Sequence, residues 1–221
     1  MGTISSNIKQ AFVQSFQYNC ITLVCQAHDV LYANHVINQD MDEETISTCI
    51  YDCVRNNQYT IELGIHVNIE HRLLPIGYVH TPTPSKQLSR IDFHFETDCW
   101  GLSPIVRYEY FMEAKNLYEH NFRKSSNKSD TQANYYFKRY IETGIDHIIK
   151  GDYPSNAIIL GYVLVGAIDP VVDGINSELS SQNRSSEHLF HVPSPYESDI
   201  RGTFSSKHSV GRMDHLMLKF T

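Results

Sequence analysis

Residues 157–165 read Ala157-Ile158-Ile159-Leu160-Gly161-Tyr162-Val163-Leu164-Val165, a nearly continuous apolar run. Gly151 and Pro154 precede it and Asp169-Pro170 follows, so turn signals bound it on both sides. A run of this length and character predicts a central strand buried on both faces. Upstream, residues 131–150 place Tyr136, Tyr140, Ile141, Ile145 and Ile148 on one helical face. Downstream, Asp169-Pro170 opens a short helix toward Leu179, with proline in its first turn. A buried strand between two helices is the signature of an α/β domain.

Farther upstream, Arg90–Phe95 and Ile105–Ala114 alternate apolar and polar residues, and Gly101 and Pro104 lie between them. This pattern predicts an antiparallel hairpin. Ile61, Leu63, Ile65, Val67 and Ile69 also alternate, which predicts extended chain over 59–80, ending in the loop Thr81-Pro82-Thr83-Pro84. Residues 42–56 carry Ile46, Ile50, Cys53 and Val54 at helical spacing, with Asp40 or Asp42 as the cap. Residues 5–37 are helix-like, in one piece or two. Residues 180–211 are Ser-rich and weakly apolar, which predicts a long loop ordered by a ligand, before a last strand at His215–Phe220. The expected fold is α/β, a mixed central sheet flanked by helices, with a meander first and crossovers after it. The expected organisation is one domain: an N-terminal helical extension at 1–39, a core at 40–179, then the loop and final strand at 180–221.

The 221 residues carry 18 Lys and Arg against 25 Asp and Glu, a net charge of −7. With 41% hydrophobic and 19% charged residues, the composition is globular and excludes a disordered chain. The acidic balance argues against a general coat for polyanions but leaves room for a local basic face. Five cysteines, Cys20, Cys25, Cys49, Cys53 and Cys99, form no C-x-x-C pair. They read as reduced, packed thiols of a cytoplasmic protein. No apolar run reaches the ~20 residues of a membrane span.

Motifs for nucleotide-hydrolysing loops, nucleophile elbows, zincins and dinucleotide folds are absent. One constellation remains. Asp92 lies in the first hairpin arm, and Glu113 and Lys115 close the second, on one face of their strand. Paired carboxylates bind a hard divalent cation such as Mg²⁺ or Mn²⁺, and a lysine beside them holds water or offsets phosphate charge. The same three residues would serve equally as a cross-strand ion pair.

Ile91-Asp92 followed 21 positions later by Glu113-Ala114-Lys115 resembles the PD-(D/E)xK nuclease superfamily, the restriction-endonuclease-like fold. The resemblance covers about residues 40–165 and includes the order of elements, αβββαβ. Ile91 departs from the family's usual proline. The resemblance implies a metal-dependent endonuclease with Asp92 and Glu113 on the metal, Lys115 positioning water, and a product bearing a 5′-phosphate. It also implies restriction or anti-phage defence as a setting and a protein partner that targets or activates the enzyme. DNA is favoured over RNA as substrate. The alternative is a catalytically silent subunit that kept the fold for assembly.

Such nucleases often take a further acid from the first helix. Glu43 is the first candidate, as a metal ligand or as a first-turn residue favouring the helix dipole. Glu62 is its rival, or part of a solvated face. Gln132 and Tyr136 are four apart and resemble the Q-x-x-x-Y element of RecB-type members, which implies a place for Gln132 beside the catalytic residues. Residues 115–150 hold seven basic residues against four acids, whereas the rest of the chain holds 11 against 21. Lys124, Lys128, Lys138, Arg139 and Tyr136 are therefore the expected nucleic-acid contacts. Arg201, Lys207, His208 and Arg212 flank the 180–211 loop as a clamp or as a plain tail. The twelve histidines show no pairing at ligand spacing, and His94, two after Asp92, shares its face.

Overall fold

The computed structural model describes residues 6–73, 90–98, 107–125 and 130–221. Helix α1 spans Ser6–Ala33, α2 Glu43–Arg55 and the short α3 Gln58–Glu62. Strands β1 (His66–Arg72), β2 (Arg90–Asp98) and β3 (Arg107–Tyr118) follow. A helical rod then runs from α4 (Ala133–Arg139) through a π-wound segment, Tyr140–Ile145, into α5 (Asp146–Ile149). The chain continues through β4 (Ile158–Val165), α6 (Ile168–Ser181), β5 (Phe190–His191), β6 (Arg201–His208) and β7 (Gly211–Lys219). The Thr81–Pro84 loop, the turn at Gly101 and Pro104, Cys99 and Lys128 lie outside the described residues.

The seven strands form one mixed sheet in the order β1-β2-β3-β4-β7-β6-β5. The first three make an antiparallel meander. β4 lies parallel to both β3 and β7, so two crossovers build the middle of the sheet. Its position explains its apolar sequence, because helices cover both faces there. On one face, Tyr162 reaches the Ser47 hydroxyl of α2, 3.1 Å away. On the other, the π-wound segment lies against Ile159, three residues earlier on β4.

Gly161 marks the tightest point of the sheet. A Cβ there would stand 2.3 Å from Met217 Sδ on β7 and 2.7 Å from Leu117 Cδ1 on β3. The two neighbours occupy the space a side chain would take, which is why an apolar run carries a glycine at its centre. Gly161→Ala is expected to lower stability by about 2 kcal/mol, read as a shifted urea midpoint.

The N-terminal elements form for local reasons. Asp42, in extended conformation, caps α2 by accepting a 2.8 Å hydrogen bond from Thr45 N. Asp40 does a different job, accepting from Ser125 N at 3.0 Å. Ile46, Ile50 and Val54 are fully buried and present the apolar face of α2 to the sheet. α1 is one helix, from Ser6 to Ala33, and not two pieces.

Three expectations are corrected. The alternation over 59–69 is not one strand. Asn57 caps Tyr59 N and starts α3, Gly64 turns the chain at φ 60°, and Tyr59, Ile61 and Leu63 stay exposed. Alternating apolar residues that nothing covers carry no strand signal. The second hairpin arm does not end at Lys115 but runs on to Tyr118, so Glu113 and Lys115 sit inside a buried strand. Residues 180–211 are not a loop awaiting a ligand, since β5 and β6 lie within them and pair into the sheet. Two of their serines are ladder residues: Ser205 and Ser206 are fully buried with both hydroxyls hydrogen-bonded.

Ser206 belongs to a buried polar chain. Tyr140 bonds His215 Nδ1 at 2.8 Å, and His215 Nε2 bonds Ser206 Oγ at 2.7 Å. Ser206 bonds His208 at 2.5 Å, and His208 bonds Glu187 at 2.6 Å. Burial pushes His215 down to about 3 and His28 down to about 4. Both are neutral in the fold, and as pH falls the unfolded chain takes up protons first, near 6.5. Stability is expected to drop as pH falls from about 6.5 toward 4, by about 3 kcal/mol for each histidine. Melting curves between pH 7 and 4.5 check this, and a flat profile would contradict it.

Cys20 and Cys25 are buried and Cys49 and Cys53 half-buried, all as free thiols. Burial pushes Cys25 up to about 12, which keeps it protonated and inert. Among the described residues no helix is long and apolar enough to cross a membrane.

Candidate active site

Asp92 on β2, Glu113 and Lys115 on β3 and Glu43 at the start of α2 meet at one point. The β2–β3 ladder pairs residues from Asp98↔Arg107 up to Phe93↔Met112. One step beyond, the Asp92 carboxylate bonds the neighbouring backbone, with Oδ2 accepting from Ala114 N at 2.6 Å. Lys115 Nζ donates to Glu113 Oε1 at 2.5 Å, to the Ala114 carbonyl at 2.7 Å and to Glu43 Oε1 at 3.2 Å. The other Glu43 oxygen accepts from Asn116 N at 3.2 Å. Glu43 stands in the first turn of α2, where it favours the helix dipole, and also reaches the lysine. Glu62 does not reach the cluster and instead accepts from Gln58 within α3, at 2.6 Å.

Glu113 and Glu43 bind one ammonium, with Asp92 close enough to feel its charge, in a site where Asp92, Glu113 and Lys115 are each at most 9% exposed. Burial and then the Glu113 charge push the Asp92 carboxyl well above its usual range. Burial likewise raises Glu113, with Lys115 working against the shift. Burial opposes the Lys115 charge, yet Glu113, Glu43 and Asp92 together outweigh it and hold the ammonium firmly protonated. The cluster sets three carboxyl groups against one lysine. Glu113 Oε2 is buried without a hydrogen-bond partner, an acceptor a cation would satisfy. The Asn116 Oδ1 is likewise buried without a partner, and oxygen donors of this kind are the set that hard cations take.

The other candidates are placed around this point. Lys124 Nζ lies 3.3 Å from the Asp40 carbonyl and 3.4 Å from that of Met41, bracing the segment that leads into Glu43. Gln132 stands at the N-cap of α4 with its Oε1 accepting from Asn121 at 3.0 Å, and no described contact joins it to Asp92 or Glu113. Tyr136 packs edge-on against Tyr118, with ring centroids 4.6 Å apart. Lys138 lies 3.7 Å from Glu142 on the rod's surface, and Arg139 closes α4 beside Tyr136. Arg201 pairs with Asp29 of α1 and His208 joins the buried polar chain, so both hold the fold.

Two partners escaped the sequence reading. Tyr153 donates to Glu113 Oε1 at 3.2 Å, and Asn116 ties the cluster to the segment before α2 by donating to the Met41 carbonyl, also at 3.2 Å. Tyr153 lies between Gly151 and Pro154, a setting that signals only a helix stop. Asn116, polar within a strand of Tyr, Phe and Leu, was the available signal. The π-wound segment closes the site from above, where a Cβ on Gly144 would lie 3.9 Å from Lys115 Cγ. The chain matches no protein-family model, no curated protein and no solved structure.

Proposed function

We propose that the chain is a metal-dependent nuclease with a restriction-endonuclease-like core, hydrolysing phosphodiester bonds in DNA. The observation that carries this reading is the grouping of Asp92, Glu113 and Lys115 in one buried cluster with more carboxyl groups than cations. Buried charges in excess cost stability, and such an arrangement is the ordinary cost of a working site. The succession of α2, the β1–β2–β3 meander, the helical rod and β4 agrees with the αβββαβ order of that core.

Asp92 and Glu113 would hold Mg²⁺ or Mn²⁺, with Glu43 as the adjoining acid. A divalent cation bound there supplies Lewis-acid polarisation of the phosphodiester. Lys115, fixed by Glu43 and Glu113, holds the attacking water and offsets charge that grows on the phosphate oxygens. Tyr153 orients the Glu113 carboxylate.

The test is cleavage of supercoiled plasmid, linear duplex, single-stranded DNA and RNA, with Mg²⁺, Mn²⁺ or EDTA. Metal-dependent cutting by the wild-type chain, lost in Asp92→Asn, is the expected result. Absence of cutting on every substrate, with or without a co-purifying partner, would overturn it in favour of a silent assembly subunit.

A further inference from the structure

A second group of metal-ligating side chains lies on β2 and β3, apart from the nuclease cluster. His94, Glu96 and Glu109 each offer a donor atom, and all three lie within 4.8 Å of one another. We propose that they bind a divalent transition metal, Zn²⁺ foremost.

The backbone sets up this group. Glu96 and Glu109 are direct cross-strand partners in the ladder. Like charges opposite each other on antiparallel strands repel, and the register holds the two backbones face to face. Arg107 reaches Glu96 at 3.0 Å through a side chain that is more than half exposed. Glu109 has His94 Nε2 at 3.0 Å. That imidazole is 2% exposed, and its Nδ1 has no hydrogen-bond partner. Its ring is held by stacking on Phe111 at 4.8 Å and 11° and by the tilted His71 ring at 4.1 Å. A buried imidazole whose Nε2 is turned to one of two facing carboxylates gives a donor set of one nitrogen and two carboxylates for one cation.

The donor chemistry selects the ion. A nitrogen ligand with two carboxylates favours Zn²⁺ and its neighbours over Mg²⁺, which prefers oxygen and water. One ion cannot serve both sites. His94 is two residues from Asp92 along β2, and Glu109 is four from Glu113 along β3, roughly 7 and 13 Å at strand rise. The proposal does not depend on the nuclease reading.

Calorimetric titration of the metal-stripped chain with Zn²⁺ tests it, in an Asp92→Asn background that weakens the neighbouring pocket. One Zn²⁺ per chain is expected in that background, with Mg²⁺ unable to displace it. Adding Glu109→Gln or Glu96→Gln should weaken binding about tenfold or more. Co²⁺ in the same site should show a ligand-field spectrum without thiolate charge transfer, which separates it from the cysteines. His94→Ala should abolish binding, and because His94 is buried, the glutamate variants carry the decision if it misfolds. Zinc affinity unchanged by Glu109→Gln and Glu96→Gln, a thiolate signature, or no zinc bound at all would each overturn the site.

Discussion

Asp92→Asn is expected to melt higher than the wild-type chain while cleaving nothing. The Asp92 carboxyl is forced above its usual range by burial and by Glu113, so its charged form is a burden to the fold. Asparagine keeps an oxygen to accept from Ala114 N and removes the charge. A carboxyl with a raised folded pKa binds its proton more tightly in the native state. Its burden is therefore absent at low pH and grows as pH rises past the ordinary carboxylate range. The variant should gain about 2 kcal/mol at pH 7.5, about 4–8 °C for a chain of this size, and nothing near pH 3. Mg²⁺ should raise the melting temperature of the wild type and leave that of the variant where it is. A variant that melts lower at neutral pH would show the carboxylate to be a structural support.

Lys115→Met should have the opposite sign and a larger size. It removes the one cation among Glu43, Glu113 and Asp92 and strands their charges in the interior. Breaking a buried ion pair from one side costs about 3–5 kcal/mol. The loss should shrink as pH falls, because Asp92 and Glu113 already tend toward the protonated state. It should also shrink when Glu113→Gln is added, since the two residues are coupled. Chemical denaturation at pH 5 and 8 of both single variants and the double variant reads this out. Additive effects would mean that the 2.5 Å contact between Lys115 and Glu113 contributes nothing of its own.

The two variants divide the cluster into a part that burdens the fold and a part that holds it. The sequence alone could not make that division. Asp92, Glu113 and Lys115 stood out because charges interrupt strongly apolar strands. How far each is buried depends on β4 and the π-wound rod, which come decades of residues later. Glu43 was recognisable as misplaced on an apolar helix face, but only packing of α2 on β3 shows that it reaches Lys115. The central strand was legible because burial on both faces leaves a continuous apolar run. The β5–β6 region was not, because Ser205 and Ser206 satisfy their hydroxyls inside the sheet and look like loop residues in one dimension. Ile61 and Leu63 erred the other way, alternating where nothing covers them. His94 looked solitary because its partners Glu96 and Glu109 meet it through ladder register.

The placement of β7 between β4 and β6 has a consequence for how the chain is made. Synthesis delivers β4 with only β3 as a neighbour, and its second partner begins at Gly211, 46 residues after Val165. Until then the most apolar strand of the molecule presents a bare edge, the kind of surface that recruits other chains. The last strand therefore works as a closing clasp. Closure is expected to set the slow step of folding, since it joins the longest-range pairs in the sheet. A nascent chain halted before Gly211 should bind holding chaperones, and release through β7 should free it.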